Sequence, residues 1–358
     1  MMTNKIGYVA MVGMVALVAC DNGTTSDGSK DAATAAAQDV GEDQGGGAEA
    51  DLSQADGLVS VDVQAGGETP DTLEGMEEDV AESQSQDTVD DDVPEQVEPT
   101  LVIGGERPAK VYLPNGYDPG KTWPLLVLLH GYSANGAVQN FYLGLSQRTM
   151  ADGVILVVPE GTVDASGNQF WNATDYCCDF FGTGVDDVGY IGSLLDEAQT
   201  VYSVDSNRIY LMGHSNGAFM AYRMACEAAD RIAGVVCIAG TTWANETKCV
   251  ETGPVAVLHV HGTNDDTILY DGEFGYPGAQ ETVSRWVSRN GCSAMGQDGG
   301  TLDMDTNVDG AETTVTRWSE CSQNTSVELW TMQGSSHIPA FPAAFVKDAV
   351  AFLLGHSL

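Results

Sequence analysis

The chain has 358 residues, with 52 acidic against 14 basic side chains and a formal net charge of −38, which excludes a nucleic-acid binder because such a protein needs a basic face to meet phosphate. The acidity is uneven: residues 21–100 hold 23 Asp or Glu, one Lys and no aromatic side chain, whereas all six Trp and all nine Phe lie in residues 101–358. A hydrophobic core can form only in that second part, whose length suits one large α/β domain.

In chain order, the first element is a targeting segment over residues 1–19. Lys5 precedes an uncharged, mostly apolar stretch that is too short to span a hydrocarbon layer of ~30 Å and reads as a secretory signal peptide. Its end, Leu17-Val18-Ala19-Cys20, resembles the bacterial lipobox, which implies lipid modification of Cys20 and a membrane partner reached through that anchor. The protein is therefore expected outside the cytoplasm, membrane-anchored or secreted. Residues 20–100 have almost nothing to bury and are expected to form a disordered acidic tether, with a span of about 50 Å if it behaves as a flexible coil.

From residue 101 onward the pattern alternates. Runs rich in Val, Ile and Leu at 109–113, 124–129, 154–158, 208–212, 234–239, 255–260 and 327–332 show little polar alternation, as in strands buried on both faces of a parallel sheet. Helical spacing marks 188–202, 216–228, 279–290 and 343–354. This alternation predicts a doubly wound, mostly parallel α/β sheet of the α/β-hydrolase class.

A nucleophile candidate stands at one strand-to-helix junction. Gly213-His214-Ser215-Asn216-Gly217 follows the strand at 208–212 and opens the helix at 216–228, and its glycines permit the sharp turn that lifts a serine hydroxyl above a sheet. A nucleophilic Ser215 needs a base and an orienting acid, in the order Ser, acid, His along the chain. Of the downstream histidines, His259 and His261 fall in or at the end of a buried strand and read as structural imidazoles, and His356 lies almost at the terminus. His337, directly after the strand at 327–332, is the expected base. The acid is expected after the strand at 255–260, where Asp265 and Asp266 compete; Asp265 is preferred, with Asp266 capping the turn. Two backbone N–H groups are expected to receive the oxyanion, those of Asn216 and of Tyr132 in His130-Gly131-Tyr132.

Leu129-His130-Gly131, Val185-Asp186-Asp187-Val188, the segment from Gly213 through Tyr222, His261-Gly262-Thr263-Asn264-Asp265 and Gly334-Ser335-Ser336-His337 together resemble the secreted esterases that include poly(3-hydroxybutyrate) depolymerases and feruloyl or acetylxylan esterases. The resemblance covers about residues 101–358 and implies a carboxylic ester hydrolase with Ser215, Asp265 and His337 as its triad, acting without a cofactor on a polyester oligomer or a hydroxycinnamoyl or acetyl ester of a polysaccharide. Asn216 after the serine is more like the feruloyl esterases, and Ser336 departs from the glycine many members have before the histidine. A prolyl-oligopeptidase-type peptidase and a non-catalytic, tethered polymer-binding protein are the rival readings.

Seven cysteines follow Cys20. Cys292 and Cys321 flank a predicted hairpin at 301–317 and can close its base. The pairing of Cys177, Cys178, Cys226, Cys237 and Cys249 is open, and adjacent Cys177 and Cys178 are expected to seek distant partners. Asp303-Met304-Asp305-Thr306-Asn307-Val308-Asp309-Gly310 has the oxygen spacing of a calcium loop but lacks its closing Glu, so a hairpin turn at Asp309-Gly310 is preferred and no metal is expected.

Overall fold

The computed structural model describes residues 101–250 and 253–358. The expected signal peptide, Cys20 and the acidic tether lie outside the described residues. A ten-stranded sheet runs through the domain in the order β1 (Leu101–Ile103), β2 (Ala109–Tyr112), β4 (Ile155–Val158), β3 (Trp123–Leu129), β7 (Val204–His214), β8 (Gly234–Ile238), β9 (Ala256–Gly262), β14 (Val327–Met332), β13 (Thr313–Trp318), β12 (Gln297–Leu302). The six strands from β4 to β14 in that order are parallel, and antiparallel pairs extend both edges. Two short ribbons lie outside it, β5 (Thr162–Val163) with β6 (Gln169–Phe170), and β10 (Gly272–Glu273) with β11 (Tyr276–Pro277).

Parallel strands bury both faces, and β3 shows how its sequence does so. Leu125, Val127 and Leu129 point into one core while Leu126 and Leu128 point into the other, all essentially without exposure. The first core lies under α3 (Asp187–Val201), α4 (Asn216–Glu227) and α5 (Ala279–Arg289). The second lies under α1 (Gly136–Leu143), α2 (Leu145–Asp152) and α6 (Ala343–Leu354), where Phe345, Val350 and Leu353 meet Met212, Val260 and Trp330. This is the α/β-hydrolase architecture. Among the described residues no helix is long and apolar enough to cross a membrane.

Two features differ from the sequence expectation. The helices α1 and α2 escape the hydrophobic pattern because α2 is largely polar and the pair is set by glycine: Gly144 takes φ +61° and both ends α1 and starts α2. The adjacent cysteines also depart from it, since Cys177 bonds its neighbour Cys178 instead of a distant partner. Of the cysteines left open, Cys226 bonds Cys249 and Cys237 is a buried free thiol. Cys292 and Cys321 are joined below the β12–β13 hairpin, which is longer than residues 301–317 because polar Gln297 and Asp298 also pair with β13. In the connection between those strands, Asp305 accepts hydrogen bonds from Asn307 N and Ala340 N at 3.0 Å, so its carboxylate braces the loop after His337.

Candidate active site

β7 rises through the sheet and ends at His214, and the chain turns sharply at Ser215 (φ 55°, ψ −123°) before α4 begins at Asn216. A positive φ at a non-glycine residue is strained and persists only where the surroundings enforce it. Here the enforcement is close backbone packing. A Cβ on Gly213 would collide with the Gly217 carbonyl, and one on Gly217 would collide with the Leu129 carbonyl at the end of β3. Ser215 N donates to Ile238 O on β8 at 2.8 Å, and Ser215 O accepts from Ala218 N and Phe219 N in the first turn of α4. The serine is thus held by main chain on all sides.

The loop after β3 crosses directly above this turn: a Cβ on Gly131 would sit 3.4 Å from Ser215 Cβ. Burial lowers the pKa of His130 to about 4, so its ring is neutral at pH 7. It uses both nitrogens, with Nδ1 donating to Gly131 O and Nε2 accepting from Gly161 N, each at 2.8 Å. Trp171 Nε1 donates to His130 O at 3.0 Å and fixes the loop from above. Tyr132 is anchored by its hydroxyl, which donates to Asp164 Oδ2 at 2.6 Å. Burial works against the charge of Asp164, but hydrogen bonds from Tyr132, Asn168 and Ser166 outweigh it and hold the carboxyl below its ordinary range.

Asn216 is entirely buried, and its side chain clamps a second loop. Oδ1 accepts from Trp171 N at 2.7 Å while Nδ2 donates to Trp171 O at 2.9 Å and to Cys177 Sγ at 3.4 Å. The same loop is tied at its far end by Asp187, which accepts from Asn172 N and pairs with Arg107 at 2.6 Å. Sequence reasoning assigned Asn216 only a backbone role. The amide side chain was legible as a residue, but its partner lies 45 positions upstream.

The structure brings His337 and Asp265 together, with Nδ1 to Oδ2 at 2.8 Å. The His337 loop is also joined to the serine turn, because His214 Nε2 donates to His337 O at 2.9 Å and the two rings lie 5.0 Å apart. Burial, aided by the neighbouring His337, lowers the His214 pKa to about 3, so this donor is a neutral imidazole. Asp266, the competing aspartate, is exposed and meets only the hydroxyl of its neighbour Thr267.

Asp265 is buried and saturated. Oδ1 accepts from Thr267 N at 2.9 Å and Ile268 N at 2.8 Å, while Oδ2 receives His337 Nδ1 and, at 3.2 Å, His261 Nε2. Burial disfavours its charge, yet the hydrogen bonds from His261 and His337 prevail and hold the carboxyl well below the usual range. His261 is a residue whose role the sequence reading missed. Its Nε2 faces two acceptors, Asp265 and Ile268 O at 2.7 Å, and therefore carries the proton. With that tautomer its Nδ1 accepts from His259 Nε2 at 3.2 Å, and His259 Nδ1 accepts from the Tyr222 hydroxyl at 2.7 Å. Burial keeps His259 neutral. A hydrogen-bond chain thus runs from Tyr222 in α4 through two strand imidazoles and ends on Asp265. The signal was the His-x-His spacing of β9, which puts both rings on one face of the strand. His356 does not join them: it bonds Ser326 Oγ and Phe352 O at the end of α6. Among the described residues no cluster of His, Cys, Asp or Glu has a metal-binding arrangement.

Known proteins give this geometry a context. Residues 100–273 match the family model described as Esterase. A bifunctional acetylxylan esterase/xylanase of Neocallimastix patriciarum is 25% identical over 253 residues, covering 70% of this chain and 33% of that protein. Feruloyl esterase B of Piromyces equi is 25% identical over 246 residues, covering 64% of this chain and 42% of that protein. The chain thus matches less than half the length of either relative. An acetyl xylan esterase from Aspergillus awamori superposes with a TM-score of 0.50 at 15% identity over 71% of this chain and 98% of that one, a likeness of fold. By these matches and its architecture, the chain is similar to esterases and has the α/β-hydrolase fold.

Proposed function

We propose that the protein is an extracytoplasmic serine carboxylic-ester hydrolase of the feruloyl esterase and polyhydroxybutyrate depolymerase type, with Ser215 as nucleophile, His337 as base and Asp265 as the orienting acid. The observation that carries this reading is the 2.8 Å bond from His337 to Asp265, on a loop that His214 ties to the serine turn. His337 takes the Ser215 proton as the hydroxyl attacks the ester carbonyl. It returns that proton to the leaving alcohol, and an acyl-enzyme forms, which water then hydrolyses by the same exchange. Asp265 fixes the imidazole with its proton on Nδ1 and stabilises the imidazolium. The main-chain N–H groups of Asn216 and Tyr132 receive the oxyanion: Asn216 opens α4, where first-turn N–H groups have no intrahelical acceptor, and Tyr132 follows the glycine that packs on Ser215.

The named activities of the two curated relatives favour acetyl or hydroxycinnamoyl esters of a polysaccharide over a polyester oligomer as substrate. Three disulfides among the described residues support an oxidising location outside the cytoplasm. Within the reading, residues 1–19 are a lipoprotein signal peptide, Cys20 carries the lipid anchor, and residues 20–100 tether the esterase domain at 101–358.

Hydrolysis of p-nitrophenyl acetate by the purified protein, with inactivation by a serine-directed organophosphate and loss in Ser215→Ala, is the expected result. Absence of turnover and of labelling would leave a binding protein on a hydrolase scaffold. A comparison of methyl ferulate, acetylated xylan and hydroxybutyrate oligomers ranks the substrates, and Cys20→Ser should move the protein from the membrane to the soluble fraction.

A further inference from the structure

A groove separates α5 from the antiparallel edge of the sheet. Strand alternation puts Thr314, Thr316 and Trp318 of β13 on one face, and the register sets Thr331 of β14 beside Thr314 and Leu329 beside Thr316. Across from them α5 buries Val283 and Trp286 in the core and presents Gln280 and Ser284 outward. The space between is a cavity of about 730 Å³. Its near end is formed by Thr263 and Gln333, at the ends of β9 and β14. Those two strands lead into the loops of Asp265 and His337, and Thr263 Oγ1 accepts from Gly334 N at 2.8 Å. From Thr314 to Trp318 the strand advances ~13 Å, about the length of two or three sugar rings.

The chemistry of this lining selects its ligand. It contains no Lys, Arg or His, so nothing attracts an anion, and Asp271 is the sole carboxylate, too few for a cation. Hydroxyls and amides recur along the walls, with Tyr270 and Thr331 hydrogen-bonded through their oxygens at 2.8 Å. The half-buried Trp318 ring stands at the far end. A neutral, polyhydroxylated chain matches both features, because its hydroxyls exchange hydrogen bonds with the walls and its C–H faces pack on the aromatic rings.

We propose that this groove binds the main chain of a neutral polysaccharide and holds its esterified side group toward Ser215. The assignment rests on the esterase reading for its purpose and on the groove for its geometry. The test is titration of the whole protein with xylohexaose and cellohexaose, followed by NMR or calorimetry. It is paired with kinetics on acetylated xylan and p-nitrophenyl acetate for Trp318→Ala and for Ser284→Trp, an exposed helix position where a ring fills the groove without touching the core. Saturable binding of one hexaose is expected, weakened about tenfold in both variants. KM for acetylated xylan should rise by a similar factor while turnover of p-nitrophenyl acetate is unchanged. The proposal is overturned if neither hexaose binds, or if Ser284→Trp, folded as judged by its melting temperature, leaves both the binding and the KM on acetylated xylan as they were. Because the hexaoses carry no ester, their binding reads the groove alone, and failure of the hydrolase reading would show separately as absence of p-nitrophenyl acetate turnover.

Discussion

The two halves of the candidate site are held by different forces. On the serine side the constraint is main chain: Gly213 and Gly217 let three backbone segments approach within contact, and Ser215 keeps a positive φ because no other path fits. On the acid side the constraint is side-chain hydrogen bonding, since a buried carboxylate is charged only because His261, His337 and two backbone N–H groups surround it. Steric constraints fail by unfolding the turn, whereas electrostatic ones fail by losing chemistry in a turn that stays in place.

The sharpest break is Gly217→Ala. Its methyl would displace the Leu129 carbonyl at the end of a central strand, so we expect about 4 kcal/mol or more of destabilisation and no soluble active enzyme. A stable, active Gly217→Ala protein would show that the serine turn is not sterically determined. On the other side, Asp265→Asn should reduce turnover by about 10⁴ while the fold persists. Its exposed neighbour Asp266→Asn should change neither turnover nor melting temperature measurably. If Asp266→Asn carried the loss instead, the acid side would be misassigned by one residue.

A smaller effect is expected behind the acid. His261→Leu removes one of the two donors to Asp265 Oδ2 and should lower kcat about tenfold with little change in KM, because the carboxylate is then less firmly held. It should also shift the acidic limb of the pH–kcat/KM profile. His261→Gln, whose amide nitrogen can reach the place of Nε2, should restore most of both readouts, and equal losses in the two variants would reduce His261 to packing.

A further perturbation is acid. His130 and His214 titrate near 6.5 when unfolded but at about 4 and about 3 when folded. Below pH 6.5 the unfolded chain therefore binds protons that the native state refuses, and stability falls with pH through that window. Asp265, also lowered, adds its own loss only at stronger acidity. Melting temperatures should be level from pH 8 to 7 and decline between pH 6 and 4. A flat curve down to pH 4 would mean that these imidazoles are hydrated.

Local patterns in the sequence were enough for the parallel strands and for the serine turn. β3, β8 and β9 are unbroken apolar runs because both faces of each are covered, and Gly-x-Ser-x-Gly between a strand and a helix states its own geometry. The loops that carry Ser215, Asp265 and His337 were legible for the same reason, since each follows a recognisable strand. What the sequence by itself did not decide were contacts between distant side chains. The clamp of Asn216 on Trp171 and Cys177 and the groove along β13 each join residues far apart in the chain that meet only after the sheet has formed, and the support of Asp265 by His261 depends on how the loop after β9 folds back on its strand. Hydrophobic periodicity records which face of an element is buried. The identity of the partner on that face is set by the order and register of the strands, and those belong to the tertiary structure.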